Sequence, residues 1–349
     1  MNIGLKRYPQ KLDFDGGRID LSHGSGGRAS AQLISQCFAR HFDNDLLNRG
    51  NDFAAFQSVP GKVVVSTDSH VISPLFFPGG DIGSLAVHGT VNDICVSGAT
   101  PLYLTAAFII EEGFPLNSLE KIVTSMARAA ESAGVAIVSG DTKVVEKGKG
   151  DGVFITTTGV GFLADGIDIS GDRARPGDRV IVSGSIGDHG VAVMSRRENL
   201  EFETPVVSDS AALNGLVAAM LNTGAEIHCL RDPTRGGLAT TLNELAQQSA
   251  VGIRIHEARI PLKPGVAAAC ELLGLDPLYV ANEGKLICIC SESDTDTLLH
   301  AMHQHPLGRD AAVIGEVIED NHQFVQMQTV FGGSRMVDWL AGEQLPRIC

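Results

Sequence analysis

The stretch Val135-Ala136-Ile137-Val138-Ser139-Gly140-Asp141-Thr142-Lys143 decides how the chain reads. Its first five residues are β-branched or small, which suits a pleated, half-buried strand, and they run into a glycine, an acid and a lysine. A turn of Glu146-Lys147-Gly148-Lys149-Gly150-Asp151-Gly152 follows, then a strand from Val153 to Leu163. The same grammar recurs upstream. Lys62 to Thr67 is valine-rich and ends at Asp68, followed by Ser69 and His70, and Leu102 to Ile110 is a nearly all-apolar strand ending at Glu111 and Glu112. Helical patterns separate these strands. From Asp81, the positions Ile82, Leu85, Ala86, Val91 and Cys95 carry a helix that holds Asn92-Asp93 and stops at Gly98-Ala99-Thr100-Pro101, with Gly83 and Gly89 asking for close packing. Leu119 to Ala133 reads as an amphipathic helix capped by Asn117 or Ser118. Strands alternating with helices predict an α/β (α+β) protein.

Asp68 and Asp141 fall just past apolar strands that share a sheet edge, so together with Asp93 of the helix the three are expected to converge, and three carboxylates there suit a hard cation. Acids at strand ends are also ordinary turn formers, so both readings stand. Lys143 is the cation nearest to them in sequence, suited to bridging a phosphate or orienting an acceptor oxygen. Ahead of these strands, Leu21-Ser22-His23-Gly24-Ser25-Gly26-Gly27-Arg28 is a glycine-rich turn opening a helix over Ala29 to Ala39. Free backbone N–H groups in such a turn are a basis for holding phosphate. The turn matches neither G-x-G-x-x-G nor G-x-x-x-x-G-K-[ST], and a merely flexible turn is the alternative.

Composition bounds the rest. A chain of 349 residues is long enough for two domains with their own cores. Forty glycines and 44% hydrophobic residues, with one Trp and three Tyr, fit a compact α/β protein rich in tight turns. Lys plus Arg number 27 against 41 Asp plus Glu, a formal charge of -14, and no basic run marks a nucleic-acid footprint. Seven cysteines without a C-x-x-C pair indicate neither a disulfide framework nor a classical zinc site, and Cys288 and Cys290 share one strand face as small core residues. Neither a signal-peptide run nor an 18-residue apolar span is present, so the expectation is a cytoplasmic protein with no membrane contact.

The polar, turn-rich segment from Asp165 to Asp178 marks the expected domain boundary. The expected division is an arm over 1–20, an N-terminal domain over 21–168, a C-terminal α/β domain over 169–330 and a tail over 331–349. In the second domain Ala225 to Leu230 leads into Arg231-Asp232-Pro233-Thr234-Arg235-Gly236-Gly237 and then a helix over Leu238 to Gln248. Asp232 and Arg235 suit facing magnesium and phosphate respectively, or forming a surface ion pair. Ile253 to Ala258, Leu286 to Cys290, Ala312 to Val317 and Phe324 to Val330 complete a second sheet. Within Tyr279-Val280-Ala281-Asn282-Glu283-Gly284-Lys285, Glu283 sits on a turn, either solvated or facing a pocket as a general base. His300 and His303 lie on a polar helix face with no obvious fourth ligand, and the absence of G-x-S-x-G argues against a Ser-His-Asp hydrolase.

The chain ends in Phe331-Gly332-Gly333-Ser334 and then Ala341-Gly342-Glu343-Gln344-Leu345-Pro346-Arg347-Ile348-Cys349. Glycines at 332, 333 and 342 let this tail bend. A thiol on the last residue is either incidental on a frayed terminus or a carrier of a small group, since nothing beyond it obstructs entry into a pocket.

The glycine turn at 21–27, Val91-Asn92-Asp93-Ile94-Cys95-Val96-Ser97-Gly98-Ala99, Gly140-Asp141-Thr142-Lys143-Val144-Val145, Asp232-Pro233-Thr234-Arg235-Gly236-Gly237, Ala281-Asn282-Glu283-Gly284 and the Pro346-Arg347-Ile348-Cys349 end carry a resemblance. Together they resemble the HypE family of hydrogenase maturation factors, the carbamoyl dehydratases. This family lies in the superfamily of aminoimidazole ribonucleotide synthetase, selenophosphate synthetase and thiamine monophosphate kinase. The resemblance spans nearly the whole chain. It implies a two-domain, PurM-like fold, with N-terminal sheets pairing in a homodimer and ATP at the interface. It further implies that Cys349 receives a carbamoyl group from a carbamoyltransferase, HypF, and that ATP-dependent dehydration leaves a thiocyanate. The cyano group then passes to iron on a HypC–HypD scaffold. Magnesium held by Asp68, Asp93 and Asp141, with Asp232 assisting, a phosphate turn of Gly24, Ser25, Gly26 and Gly27, and Lys143 and Glu283 handling the carbamoyl group complete the implied site. The alternatives are another ATP-dependent small-molecule kinase of the same superfamily, or a scaffold that only docks maturation partners.

Overall fold

The computed structural model describes residues 11–200, 206–342, 345 and 347–349. The first half of the expected N-terminal arm, residues 201–205, and tail residues 343, 344 and 346 lie outside the described residues.

The first unit is built from Lys62–His70 (β1), Ile82–Cys95 (α1), Thr100–Glu111 (β2), Leu116–Ala133 (α2), Ala136–Val145 (β3) and Val153–Leu163 (β4). Its four strands lie in the order β1-β4-β2-β3, with only β2 and β3 parallel, joined through α2. Asp81 caps α1, accepting from the Gly83 and Ser84 amides. Eleven of the fourteen residues of α1 are buried, as expected of a helix covered on all sides. Along β1 the even positions face α1, whereas Val63 and Val65 on the opposite face stay 61% and 60% exposed.

Two expectations are corrected here. First, α2 begins at Leu116 with Pro115 as its N-cap, not at Asn117 or Ser118, because Leu116 is drawn into the core as the first helical residue. Second, β1 and β3 do not stop at their acids. Asp68 pairs with Thr157 and Asp141 with Ala107 inside continuous ladders. Hydroxyls on the open face keep the strands going, since Thr67 bonds Thr158 and Ser69 bonds Thr156, each at 2.9 Å.

The second unit comprises Arg179–Val182 (β5), Asp188–Arg197 (α3), Asn214–Leu221 (α4), Ile227–Arg231 (β6), Gly237–Ser249 (α5), Gly252–His256 (β7), Pro264–Leu273 (α6), Ile287–Cys290 (β8), Thr295–Gln304 (α7), Ala312–Ile318 (β9), Val325–Gln328 (β10) and Ser334–Met336 (β11). Its seven strands run β11-β10-β7-β9-β5-β8-β6. One face packs Leu238, Leu242 and Leu245 of α5, and the other packs Leu216 and Met220 of α4 with Leu298 and Met302 of α7. Cys288 and Cys290 are fully buried in β8, as expected. One core spans both units, joining Leu85 and Ile110 to Val191, Val266 and Val280, and it takes in Leu345 and Ile348 of the tail. That shared core presses the α1 face of the first sheet against the second unit. Among the described residues no helix is long and apolar enough to cross a membrane.

Candidate active site

The seam between the units holds the Glu283 turn. Asn282 fixes it from below: its Oδ1 accepts from the Gly187 amide at 2.7 Å and its Nδ2 donates to the Pro233 carbonyl at 2.9 Å. Asp209 fixes it from the side. Its carboxylate accepts from the Glu283 and Gly284 amides, each at 3.2 Å, and from Lys285 Nζ at 3.1 Å. The approach is so close that a Cβ on residue 284 would lie 1.8 Å from the Asp209 carbonyl oxygen, so only glycine fits. Asn92 of α1 reaches across, donating to the Ala211 carbonyl at 3.0 Å and accepting from the Leu213 amide at 2.8 Å. With its backbone held on three sides, Glu283 is 4% exposed, and among the described residues its Oε1 has no hydrogen-bond partner. Burial, and then the charges of Asp232 and Asp209, push its carboxyl well above the usual range.

Around it stand the acids of both units. Asp93 accepts from Ser66 Oγ at 2.7 Å, and burial raises its pKa. Asp232 is pushed up to about 7, by burial first and then by Asp93. Asp68 lies 3.4 Å from Nε2 of the buried His70, and a Cβ at Gly89 would come within 3.0 Å of that same nitrogen, so the glycine in α1 makes room for the pair. Arg235 is exposed and makes no ion pair with Asp232 among the described residues, so the surface-pair reading falls away.

The tail ends in this seam. Arg347 and Cys349 offer their carbonyls to the Ser73 and Val71 amides, just beyond β1, at 3.2 and 3.1 Å. Arg197 donates to the Ser73 and Arg347 carbonyls, Arg347 pairs with Asp151, and Leu345 and Ile348 are buried. Cys349 thereby faces a cavity of about 400 Å³ lined by Ser69, Val71, Arg235, Tyr279 and Ile348. Burial raises its thiol far above the usual range, with the Glu283 charge adding to the effect and Arg235 opposing it. A resting thiol here is un-ionised and unreactive.

The structure does not bring Asp141 and Lys143 to this place within one chain. They sit on β3, at the far side of the sheet from β1, about 14 Å away at three strand spacings. The registers Asp68↔Thr157↔Ala106↔Gly140 leave Asp141 one residue out of the Asp68 row, hence on the opposite face. Lys143 Nζ reaches Asp141 at 2.8 Å, and that bond comes first among the causes lowering the Asp141 pKa. Beside them the glycine turn and Phe38, Phe42 and Phe108 line a second cavity, of about 230 Å³. In the turn, the Gly26 amide is taken by Ser30 Oγ at 2.9 Å.

Sequence reasoning missed Asp209, His189 and Arg197. Asp209 lies in a loop and the other two on the helix over Asp188–Arg197; no spacing links any of them to Glu283 or to the tail. Asn92 and Asn282 were visible as neighbours of acids, without a role.

Comparison with known proteins shows what the chain is similar to. The family models for the N-terminal and C-terminal domains of AIR synthase related proteins match residues 50–163 and 175–328. A protein named carbamoyl dehydratase HypE from Rhizobium leguminosarum bv. viciae is 64% identical, covering 100% of both chains. A solved structure of the hydrogenase maturation protein HypE in complex with ATP superposes with a TM-score of 0.91 at 51% identity, covering 94% of this chain and 99% of that one. A HypE–HypF complex matches with a TM-score of 0.78 at 51% identity, over 88% of this chain and 99% of that one.

Proposed function

Because the chain belongs to the HypE family of carbamoyl dehydratases among the AIR synthase related proteins, we propose that Cys349 carries the group on which it acts. The protein is an ATP-dependent carbamoyl dehydratase of hydrogenase maturation. The observation that carries the site assignment is the seated tail, whose terminal thiol shares a cavity wall with Arg235 and feels the charge of Glu283.

The chemistry follows from what an amide lacks. Its oxygen is a poor leaving group, and phosphorylation by ATP turns it into a good one. The carbamoyl nitrogen loses two protons, one as the oxygen is phosphorylated and one as phosphate departs, leaving S–C≡N on the same sulfur. Glu283, whose proton affinity burial raises, suits taking the first of these protons once it is ionised, and the second leaves on the departing phosphate. The closed seam excludes water that would otherwise hydrolyse the phosphorylated intermediate.

Magnesium fits the donor set: Asp68, Asp93 and Asp232 are hard oxygen donors gathered at the seam. Among the described residues no three His, Cys, Asp or Glu groups stand close enough to hold a metal ion. Magnesium needs no such cluster, being held usually by one or two carboxylates plus substrate phosphates. When bound, it neutralises charge on the triphosphate.

Asp141 and Lys143 enter through a second chain. Both are on the open face of the first sheet, where Val63, Val65 and Ile109 are exposed, and pairing two such faces in a homodimer buries these side chains. The pair and the adjoining cavity then face the partner, with the glycine turn Gly24 to Gly27 toward the nucleotide. Lys143 steadies the carbamoyl oxygen or the developing phosphate from there. HypF is the partner that loads Cys349, and a HypC–HypD scaffold receives the cyano group, which requires the tail to leave the seam between steps. The test is ATP consumption by the full chain with and without a carbamoylated tail. Strict dependence on the adduct supports the assignment; turnover with a free acceptor makes the chain a small-molecule kinase, and no turnover makes it a scaffold.

A further inference from the structure

The seated tail makes one hydrogen bond that the chemistry above does not use. The carbonyls of Arg347 and Cys349 meet the Ser73 and Val71 amides, and that of Ile348, between them, meets His189 Nε2 at 2.8 Å. His189 is 0% exposed, in the first turn of α3, with its ring edge-on to Phe77 at 5.3 Å between centroids. Its Nδ1 lies 2.8 Å from Ser208 Oγ. A carbonyl only accepts, so Nε2 carries the proton and Nδ1 accepts from the serine. Burial holds the ring's pKa down, which keeps it neutral in this single tautomer.

We infer that His189 is a positioning residue for the reaction: its Nε2–H seats the Ile348 carbonyl and so fixes the sulfur of Cys349 beside Glu283. This rests on Cys349 as the carrier. The same segment serves both halves of the site, because Ser208 orients His189 while its neighbour Asp209 clamps the Glu283 turn. A tail that is loaded, withdrawn and reinserted needs a seat that recognises it whatever the sulfur bears, and a backbone carbonyl one residue earlier is the same in every state.

The test uses the full-length protein and two replacements. His189→Phe keeps most of the ring's volume and loses the donor, whereas His189→Gln keeps an N–H. Alkylation of Cys349 by iodoacetamide, followed by intact mass, reports seating; the other six cysteines are buried. With His189→Phe, alkylation should rise about tenfold, the scale of one lost buried hydrogen bond. Single-turnover conversion of the carbamoyl adduct should fall by a similar factor, with ATP binding unchanged. His189→Gln should return both most of the way. Wild-type alkylation in the Phe protein overturns the inference, as does a Gln protein that behaves like the Phe one, since the loss is then one of packing. Alkylation involves no chemistry at the nucleotide, so it reads the seat even if the carrier role of Cys349 fails.

Discussion

The Glu283 turn and the Asp141–Lys143 edge lie on opposite faces of one four-stranded sheet and are finished to different degrees. At the turn nearly every polar group has a partner within the chain: Asn282, Asp209 and Asn92 hold the backbone, and the tail closes over it. Glu283 Oε1 is left without one among the described residues. At the edge, Asp141 and Lys143 pair with each other, the Thr142 amide adding one short local bond, and they remain 62% and 64% exposed. A group that must gain and lose protons is best held by groups that do not move. A group that must meet a second molecule is best left open. On the proposed reading, the turn serves chemistry within one chain and the edge serves assembly.

The largest effect expected is at the sulfur. Cys349→Ala should abolish thiocyanate formation while leaving nucleotide binding and thermal stability nearly unchanged, because Cys349 only packs against the edge of the core. A fully active Cys349→Ala protein would remove the carrier role. Next comes the orphan oxygen: Glu283→Gln should keep the turn's backbone bonds and slow dehydration by about 10² to 10⁴, the usual range for a general base. The two regions can also be set against each other. Lys143→Ala and Glu283→Gln chains should each be poor alone, yet regain roughly a quarter of wild-type activity when mixed, because half the pairs are heterodimers with one intact composite site. Absence of any recovery would place Lys143 and Glu283 in one chain's site and break the contrast.

Much of this was legible in residues. The β-α alternation, the core cysteines of β8 and the glycine in α1 that accommodates His70 all follow from pattern and side-chain size. Convergence of Asp68 with Asp141 did not, and the reason is physical. Threonine and serine pairs carried the strands beyond their acids, and a one-residue offset in register reverses the face. The clamps were invisible because they act across long separations: Asp209 and Glu283 are joined by backbone amides whose donors every residue shares. Sequence marks a side chain that does chemistry more readily than one that holds a loop still.

Two smaller effects sharpen the comparison. Asp209→Asn should slow dehydration about tenfold and cost about 1–3 kcal/mol of stability, since the Lys285 ammonium, 12% exposed, loses its partner. An equivalent change at the open edge, Asp141→Asn, should cost no more than a few tenths of that. Denaturant titrations of the two proteins check the difference. His88, at the seam beside Ser210, is pushed by burial from 6.5 down to about 4. As pH falls below about 6.5, the unfolded chain takes this proton first, so folded stability should decline steadily until about pH 4 and then level for this group. His88→Gln should flatten that part of the curve, measured as the thermal midpoint against pH.

The most direct measurement is a time course of intact mass on carbamoylated protein mixed with ATP, run in parallel on wild type and Glu283→Gln. Loss of the mass of one water from the terminal cysteine in wild type, matched by ADP and phosphate release and stalled in Glu283→Gln, is the result predicted. Equal rates in the two proteins, or ATP cleavage with the carbamoyl mass unchanged, would contradict it.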